Sequence, residues 1–311
     1  MDVSGVIQRA AAIAYKERWL WPPALLFSVA FDLPSLLAQP FTPSAAQLFE
    51  NQGQRLLWIA TWLTENIPQF VGYTILISIL LGALWSVATI GQGAMIDGVA
   101  TIDSPSASAL QASKAYWKRG RELLWPLVAI DLLIFLPIFL IILAILVIII
   151  VVSVGLLLDI TQSGTLTMTP LVGIGGALIL PLVCAILPVS LISVLFRLIA
   201  FRMTALKGSG IRESVRQVRP FLRQHWVHCL VLGLITGVIY YTINGLILLG
   251  GNGIRFVAGL ADSRVLGFTA EALIVTVSLF VSVLRNLFLS ASWTIGVQAL
   301  MSNDPVGSPQ T

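Results

Sequence analysis

Three ionisable side chains, Asp32, Asp131 and Arg285, stand within stretches of sequence that are otherwise apolar. A charge in such surroundings is costly unless it is paired or turned toward water. These positions are therefore the first places to look for a proton relay, a substrate contact or a structural ion pair. At ~1.5 Å per helical residue, Asp32 and Arg285 lie at a similar depth, ~20 Å from the basic ends of their segments. The equality predicts a pair between them, with a structural role favoured over a relay. His225, His228 and Cys229 place nitrogen and sulfur donors on one helical face, but no third or fourth partner recurs at a zinc-site spacing, so no metal or other cofactor is expected. No nucleophile elbow, HExxH, phosphate-binding loop or paired catalytic carboxylates stand out. Gly173, Gly175 and Gly176 follow no strand and read as helix-packing residues. The chain is expected not to be an enzyme.

The elements that hold these residues follow from composition. Of 311 residues only 10% are charged and 57% hydrophobic, and mean hydropathy is +0.94. A soluble domain carries about a quarter charged residues, so so sparse a complement cannot solvate this surface in water. Apolar runs of 18 or more residues read as membrane spans, and six are expected, near residues 19–39, 69–96, 123–158, 170–201, 227–250 and 266–300. The third is long enough to tilt, to bend at Pro137 or to stand out of the lipid. Pro181 and Pro188 predict kinks in the fourth. The first is too long for a cleaved signal core and reads as a retained anchor. Cys184 and Cys229 show no pairing pattern and read as small buried apolar residues.

Lysine and arginine set the orientation. Fourteen lie on one side of the six spans, including Arg9, Lys16, Arg18, Lys114, Lys118, Arg119, Arg121, Arg212, Arg216, Arg219 and Arg223, against three on the other, Arg55, Arg255 and Arg264. By the positive-inside rule both termini are cytoplasmic and the chain is expected in the inner (plasma) membrane. The net charge of +4 belongs to this asymmetry; with no exposed base-reading face, nucleic acid is not an expected partner.

TIGQGAM (Thr89 to Met95) returns as TIGVQAL (Thr294 to Leu300), 205 residues later, each at the basic end of an even-numbered span. Ala14-Tyr15 returns as Ala115-Tyr116, Leu20-Trp21-Pro22 as Leu124-Trp125-Pro126, and Trp125 has a counterpart in Trp226. Steps of about 102 residues divide the chain into three units, near 1–103, 104–207 and 208–302, with 303–311 a polar tail, all within one membrane domain. Each unit would be a basic amphipathic lead-in, a span outward, a loop and a span back, giving parallel repeats about an axis along the membrane normal.

In the third lead-in Ile211, Val215, Val218 and Leu222 form one helical stripe, with Arg212, Arg216, Arg219 and Arg223 repeating it one residue on; Pro220 predicts a kink or restart at Arg219. In the second, Ser104-Pro105 reads as a helix start, with Leu110, Ser113, Trp117 and Leu124 on one side and Lys114, Lys118 and Arg121 on another. Such helices can lie among headgroups, drawn to the anionic lipid of the inner leaflet, with Trp19, Trp21, Trp117, Trp125 and Trp226 as interfacial anchors. Positive-inside topology with snorkelling side chains accounts for the same pattern without a lipid-binding role. On the far side Trp58 and Trp62 are expected to rest on the outer leaflet.

AYWKRGRELLWP (Ala115 to Pro126) and ALKGSGIRESVRQV (Ala205 to Val218) carry a resemblance to bacterial multi-pass proteins similar to the membrane domain of glycerophosphoryl diester phosphodiesterases. The resemblance implies a helical membrane domain, and no catalytic residue carries over from it. Together these readings predict an all-α polytopic membrane helix bundle, with about six transmembrane helices in three tandem repeats of an amphipathic helix plus hairpin. Its expected function is non-enzymatic contact with membrane lipids or with other membrane proteins through the basic collar. The alternative is a transporter or channel, its cavity lined by Asp32, Asp131 and Arg285.

Overall fold

Proline and tryptophan mark where the chain changes direction. In the computed structural model, which describes residues 1–32, 66–102, 109–163, 170–260 and 264–302, every regular element among the described residues is helical. The first helix, α1 (Val3–Lys16), buries Val6, Ala10, Ile13 and Ala14 along one face and ends on Lys16, a cation suited to the negative end of the helix dipole. A 3-10 turn (Arg18–Leu20) then leads into α2 (Trp21–Phe31), whose first turn holds Pro22 and Pro23, where no amide donor is needed. The indole of Trp21 donates to the Ala14 carbonyl at 3.0 Å and that of Trp19 to Glu17 Oε2 at 2.7 Å, fastening the bend.

The chain continues as α3 (Ile67–Thr101), α4 (Ala109–Glu122), α5 (Leu124–Ser163), α6 (Pro170–Lys207), α7 (Ile211–Leu260) and α8 (Arg264–Ser302). A turn at Leu123 separates α4 from α5. Gly208, at φ 63°, closes α6 in the left-handed conformation that glycine adopts freely, its amide donating to the Thr204 carbonyl at 3.1 Å. Five of these helices contain segments long and apolar enough to cross a membrane: Val71–Thr101, Leu124–Ile145, Pro188–Lys207, Ile211–Leu260 and Val265–Ser302. Of the expected first span only the part through α2 is described. Ser104-Pro105, Trp58, Trp62, the start of the outward loop at Arg55 and the tail from 303 lie outside the described residues.

α5 and α6 stay helical through Pro137, Pro181 and Pro188, as a helix bent at proline also does. Other expectations are corrected. α7 also runs through Pro220, and its non-helical residue is His225 (φ −116°, ψ 21°), five positions later. Pro220 is exposed, so the carbonyl it leaves unbonded does not force a break at that point. Along α4 and the turn that follows it, the buried line is Tyr116, Gly120 and Leu123 instead of the stripe through Trp117. Backbone approach outweighs the apolar pattern there: a methyl at Gly120 would sit 2.7 Å from the Ile90 carbonyl, and one at Gly93 would sit 3.4 Å from Gly120. Cys184 is exposed; Cys229 is buried, and both are free thiols.

The described chain forms two units, Met1–Leu124 with Leu230–Thr311, and Trp125–Cys229. In the first, Ala10, Ile13, Ala14, Leu20, Ala24, Met95, Val99, Val283, Leu287 and Ala291 make a shared core of α1, α2, α3 and α8. The repeated heptapeptides lie at two of its close contacts. A methyl on Gly91 would fall 2.7 Å from the Pro23 carbonyl and 3.1 Å from the Phe27 amide; one on Gly296 would fall 2.7 Å from Leu232 Cδ2. Gly91 and Gly296 are 205 residues apart, and so are Phe27 and Leu232. Tyr116 ties α4 to the α1–α2 bend, its hydroxyl donating to the Trp19 carbonyl at 3.1 Å. Val71, Ile75, Leu76, Ile79 and Leu80 of α3, with Tyr241, Leu246 and Leu249 of α7, are exposed among the described residues. Apolar faces this extensive are at home in hydrocarbon.

In the second unit Leu127, Ile130, Ile199, Phe201, Met203, Val218 and Phe221 are buried. Here the residue six after the lead-in tryptophan, which is Phe27 in the first repeat and Leu232 in the third, is Asp131.

Candidate functional site

The charge deepest in the first unit is Arg285, on α8, its side chain only 2% exposed. Its Nη2 donates to Asp32 Oδ1 at 2.8 Å, where α2 ends. Thus the pair expected from depth alone is formed. The guanidinium also donates to the amide oxygen of Asn244 on α7 and, at 3.4 Å, to Asn286 Oδ1. It lies 4.5 Å from the centroid of the Tyr240 ring. Asn286 in turn donates to Asp32 Oδ2 and to Ser28 Oγ, each at 2.8 Å. Three helices, α2, α7 and α8, therefore meet on one hydrogen-bonded group in which both carboxylate oxygens and all three guanidinium nitrogens have partners.

Asp131 is held in the second unit. Arg197 of α6 grips it bidentately, Nε to Oδ1 at 2.5 Å and Nη2 to Oδ2 at 3.0 Å. The guanidinium packs over Phe201 at 4.5 Å and faces Phe135 at 6.0 Å. A planar fork against a carboxylate, shielded by aromatic rings, is the geometry in which arginine tolerates burial. A third pair, Arg255 with Glu271 (2.7 and 2.9 Å), joins the end of α7 to the start of α8. Sequence reasoning placed Arg255 in a loop and passed over Glu271, and it did not pair Arg197 with Asp131. Position carried a signal for the latter: Asp131 lies six residues past Trp125 and Arg197 ten before the end of α6. Asn244, Asn286, Ser28 and Tyr240 had no signal, since isolated amides, hydroxyls and aromatics are common in helical spans.

The basic lead-ins are the other candidate site. In α4, Lys118 and Arg121 are exposed, Arg119 pairs with Glu122 at 3.3 Å, and the Lys114 side chain is outside the described set. Burial raises the Tyr116 phenol above its ordinary value, outweighing a hydrogen bond from Trp117. In α7, Arg212, Arg216, Arg219 and Arg223 are all exposed, while Ser214, Val218 and Phe221 are buried on the opposite side. Ser214 Oγ anchors that side, bonded to Thr204 Oγ1 at 2.8 Å and Ser209 Oγ at 2.7 Å. Arg216 is matched with Glu213 at 3.3 Å. The Gln217 amide, then Arg216, hold the Glu213 carboxyl below its ordinary range. Among the described residues no carboxylate pairs with Arg212, Arg219 or Arg223. His225 stacks near Phe221, ring centroids 5.0 Å apart, and no group of three metal-ligating side chains occurs among the described residues.

Fold and sites together define a class: an all-α, multi-pass membrane bundle with Asp32 paired to Arg285, Asp131 paired to Arg197, and a basic helix leading into its long spans. No protein-family model, curated protein or solved structure matches the chain.

Proposed function

We propose that this protein is a non-enzymatic component of the inner (plasma) membrane, acting through contact of its basic lead-ins with anionic lipid of the inner leaflet. The observation that carries the reading is the exposed row Arg212, Arg219 and Arg223, without carboxylate partners among the described residues, on a helix whose other face is buried. An anionic headgroup layer supplies the missing counter-charge, worth ~1 kcal/mol per basic residue at the surface. Both termini are then cytoplasmic.

Three tandem repeats underlie this arrangement. Supporting them is the element order, in which each lead-in stops at a break just before Trp21, Trp125 or Trp226, and the shared step of 205 residues between the Gly91–Phe27 and Gly296–Leu232 contacts. The likeness of AYWKRGRELLWP and ALKGSGIRESVRQV to the membrane domain of glycerophosphoryl diester phosphodiesterases belongs to the same reading. Transport is the competing function, but Asp32, Asp131 and Arg285 are each held by a fixed partner, which supports a static role.

The test is lipid analysis of protein extracted in mild detergent. Wild type should retain anionic over zwitterionic phospholipid. Glutamine at Lys118, Arg121, Arg212, Arg216, Arg219 and Arg223 should abolish the enrichment, and an unchanged lipid profile refutes the proposal.

A further inference from the structure

The basic row of α7 is not uniform. Arg216 already faces Glu213, whereas Arg219 and Arg223, one helical turn apart, have no carboxylate partner among the described residues. Like charges at that spacing repel, and a bound anion would relieve the repulsion. Just past the break at His225 stands Trp226, 60% exposed, followed by Val227 at 48%. The helix is fixed in this pose by the Ser214, Thr204 and Ser209 hydroxyls and by buried Val218 and Phe221. Two exposed guanidinium forks one turn apart and, just past the break at His225, an exposed indole thus follow one another along an anchored helix.

The first lead-in shows the contrast. Counting by the 205-residue step that relates Trp21 to Trp226, the positions of Arg219 and Arg223 are Ala14 and Arg18, and the neighbouring Glu17 accepts a hydrogen bond from Trp19. Trp21, the counterpart of Trp226, is turned back onto the Ala14 carbonyl. There one of the two cations is replaced by alanine and the indole is occupied.

We infer that Arg219, Arg223 and Trp226 form one discrete site for the headgroup phosphodiester of an anionic glycerophospholipid. The two guanidinium groups receive the phosphate oxygens, as planar forks do. The indole sits at the glycerol level, where interfacial tryptophan is stable. The inference rests on the lipid-contact reading above and sharpens it from a diffuse collar to a stoichiometric site.

Delipidated full-length protein in mild detergent is titrated with dioleoyl-phosphatidylglycerol, or with dioleoyl-phosphatidylcholine as the zwitterionic control, and followed by native mass spectrometry. R219Q/R223Q should weaken phosphatidylglycerol binding tenfold or more. R212Q/R216Q, which removes the same charge from the same helix, should weaken it less than threefold. W226A, which changes no charge, should weaken it threefold or more. R219K/R223K guards against misfolding: keeping charge without the forks, it should bind between wild type and R219Q/R223Q. Inorganic phosphate should displace the lipid no better than chloride at equal ionic strength. Equal losses from the two glutamine pairs, an inert W226A, wild-type binding by R219K/R223K, or stronger displacement by phosphate would each overturn the site. Wild type that shows no preference for phosphatidylglycerol would overturn the lipid-contact reading itself, an outcome distinct from these.

Discussion

Replacing Asp32 by asparagine removes one charge from the Arg285 group with almost no change in volume. Arg285 is 2% exposed and Asp32 19%, so the arginine has little water to fall back on when its counter-charge goes. The Asn244 and Asn286 oxygens and the Tyr240 face remain to accept the guanidinium, but none carries a full negative charge. Removing one partner of a buried pair costs about 3–5 kcal/mol, and at about 2–4 °C per kcal/mol the melting temperature should fall ~6–20 °C. Arg285→Met strips the cation, leaving Asp32 charged with the Asn286 amide and partial water contact, and should cost toward the lower end of that range. The double variant D32N/R285M leaves no uncompensated charge, so it should recover at least half of the summed loss. The assay is thermal unfolding of detergent-solubilised protein, read from the remaining monodisperse peak on size exclusion. Losses that add within about 0.5 kcal/mol would mean that the two side chains do not act on each other, and the pairing argument fails.

Two more outcomes follow from local geometry. Gly91→Ala should destabilise by about 1–3 kcal/mol, because the new methyl meets the Pro23 carbonyl at 2.7 Å and backbone must move; Gly296→Ala should cost less, since its 2.7 Å contact is with a side-chain methyl of Leu232, which can shift by rotation without moving backbone. Equal melting temperatures for the two variants would contradict the close approach of α2 and α3. Glu213 is held below the ordinary carboxylate range, first by Gln217 and then by Arg216, so its contribution is present above the unfolded-state value and lost as pH falls through the folded one. Carbon-13 NMR of the side chain should place its titration below that of a free glutamate, and E213Q should remove the acid-side change in lead-in order.

Long apolar runs determined the class of this protein before any fold was visible, because twenty uncharged residues in series have few stable settings other than hydrocarbon. The asparagine, serine and tyrosine partners of Arg285 were illegible, since their meaning depends on which helices meet and amides carry no periodic signature. The Asp32–Arg285 pair was legible because two opposite charges at one depth in low dielectric have strong reason to meet. Asp131 was visible as a charge but its partner was not, as Arg197 counted only as one of the fourteen basic residues toward the inner face. Helix faces near glycine were misjudged for a related reason: hydrophobic periodicity reports burial by side chains, whereas Gly93 and Gly120 are buried by backbone contact. The break at His225 instead of Arg219 likewise depended on the surroundings of Pro220, which tertiary structure alone supplies. Sequence alone determined the solvent, the helices and the placement of charge. Tertiary structure decided which helix faces touch and which polar groups satisfy one another, because both depend on distances between residues far apart in the chain.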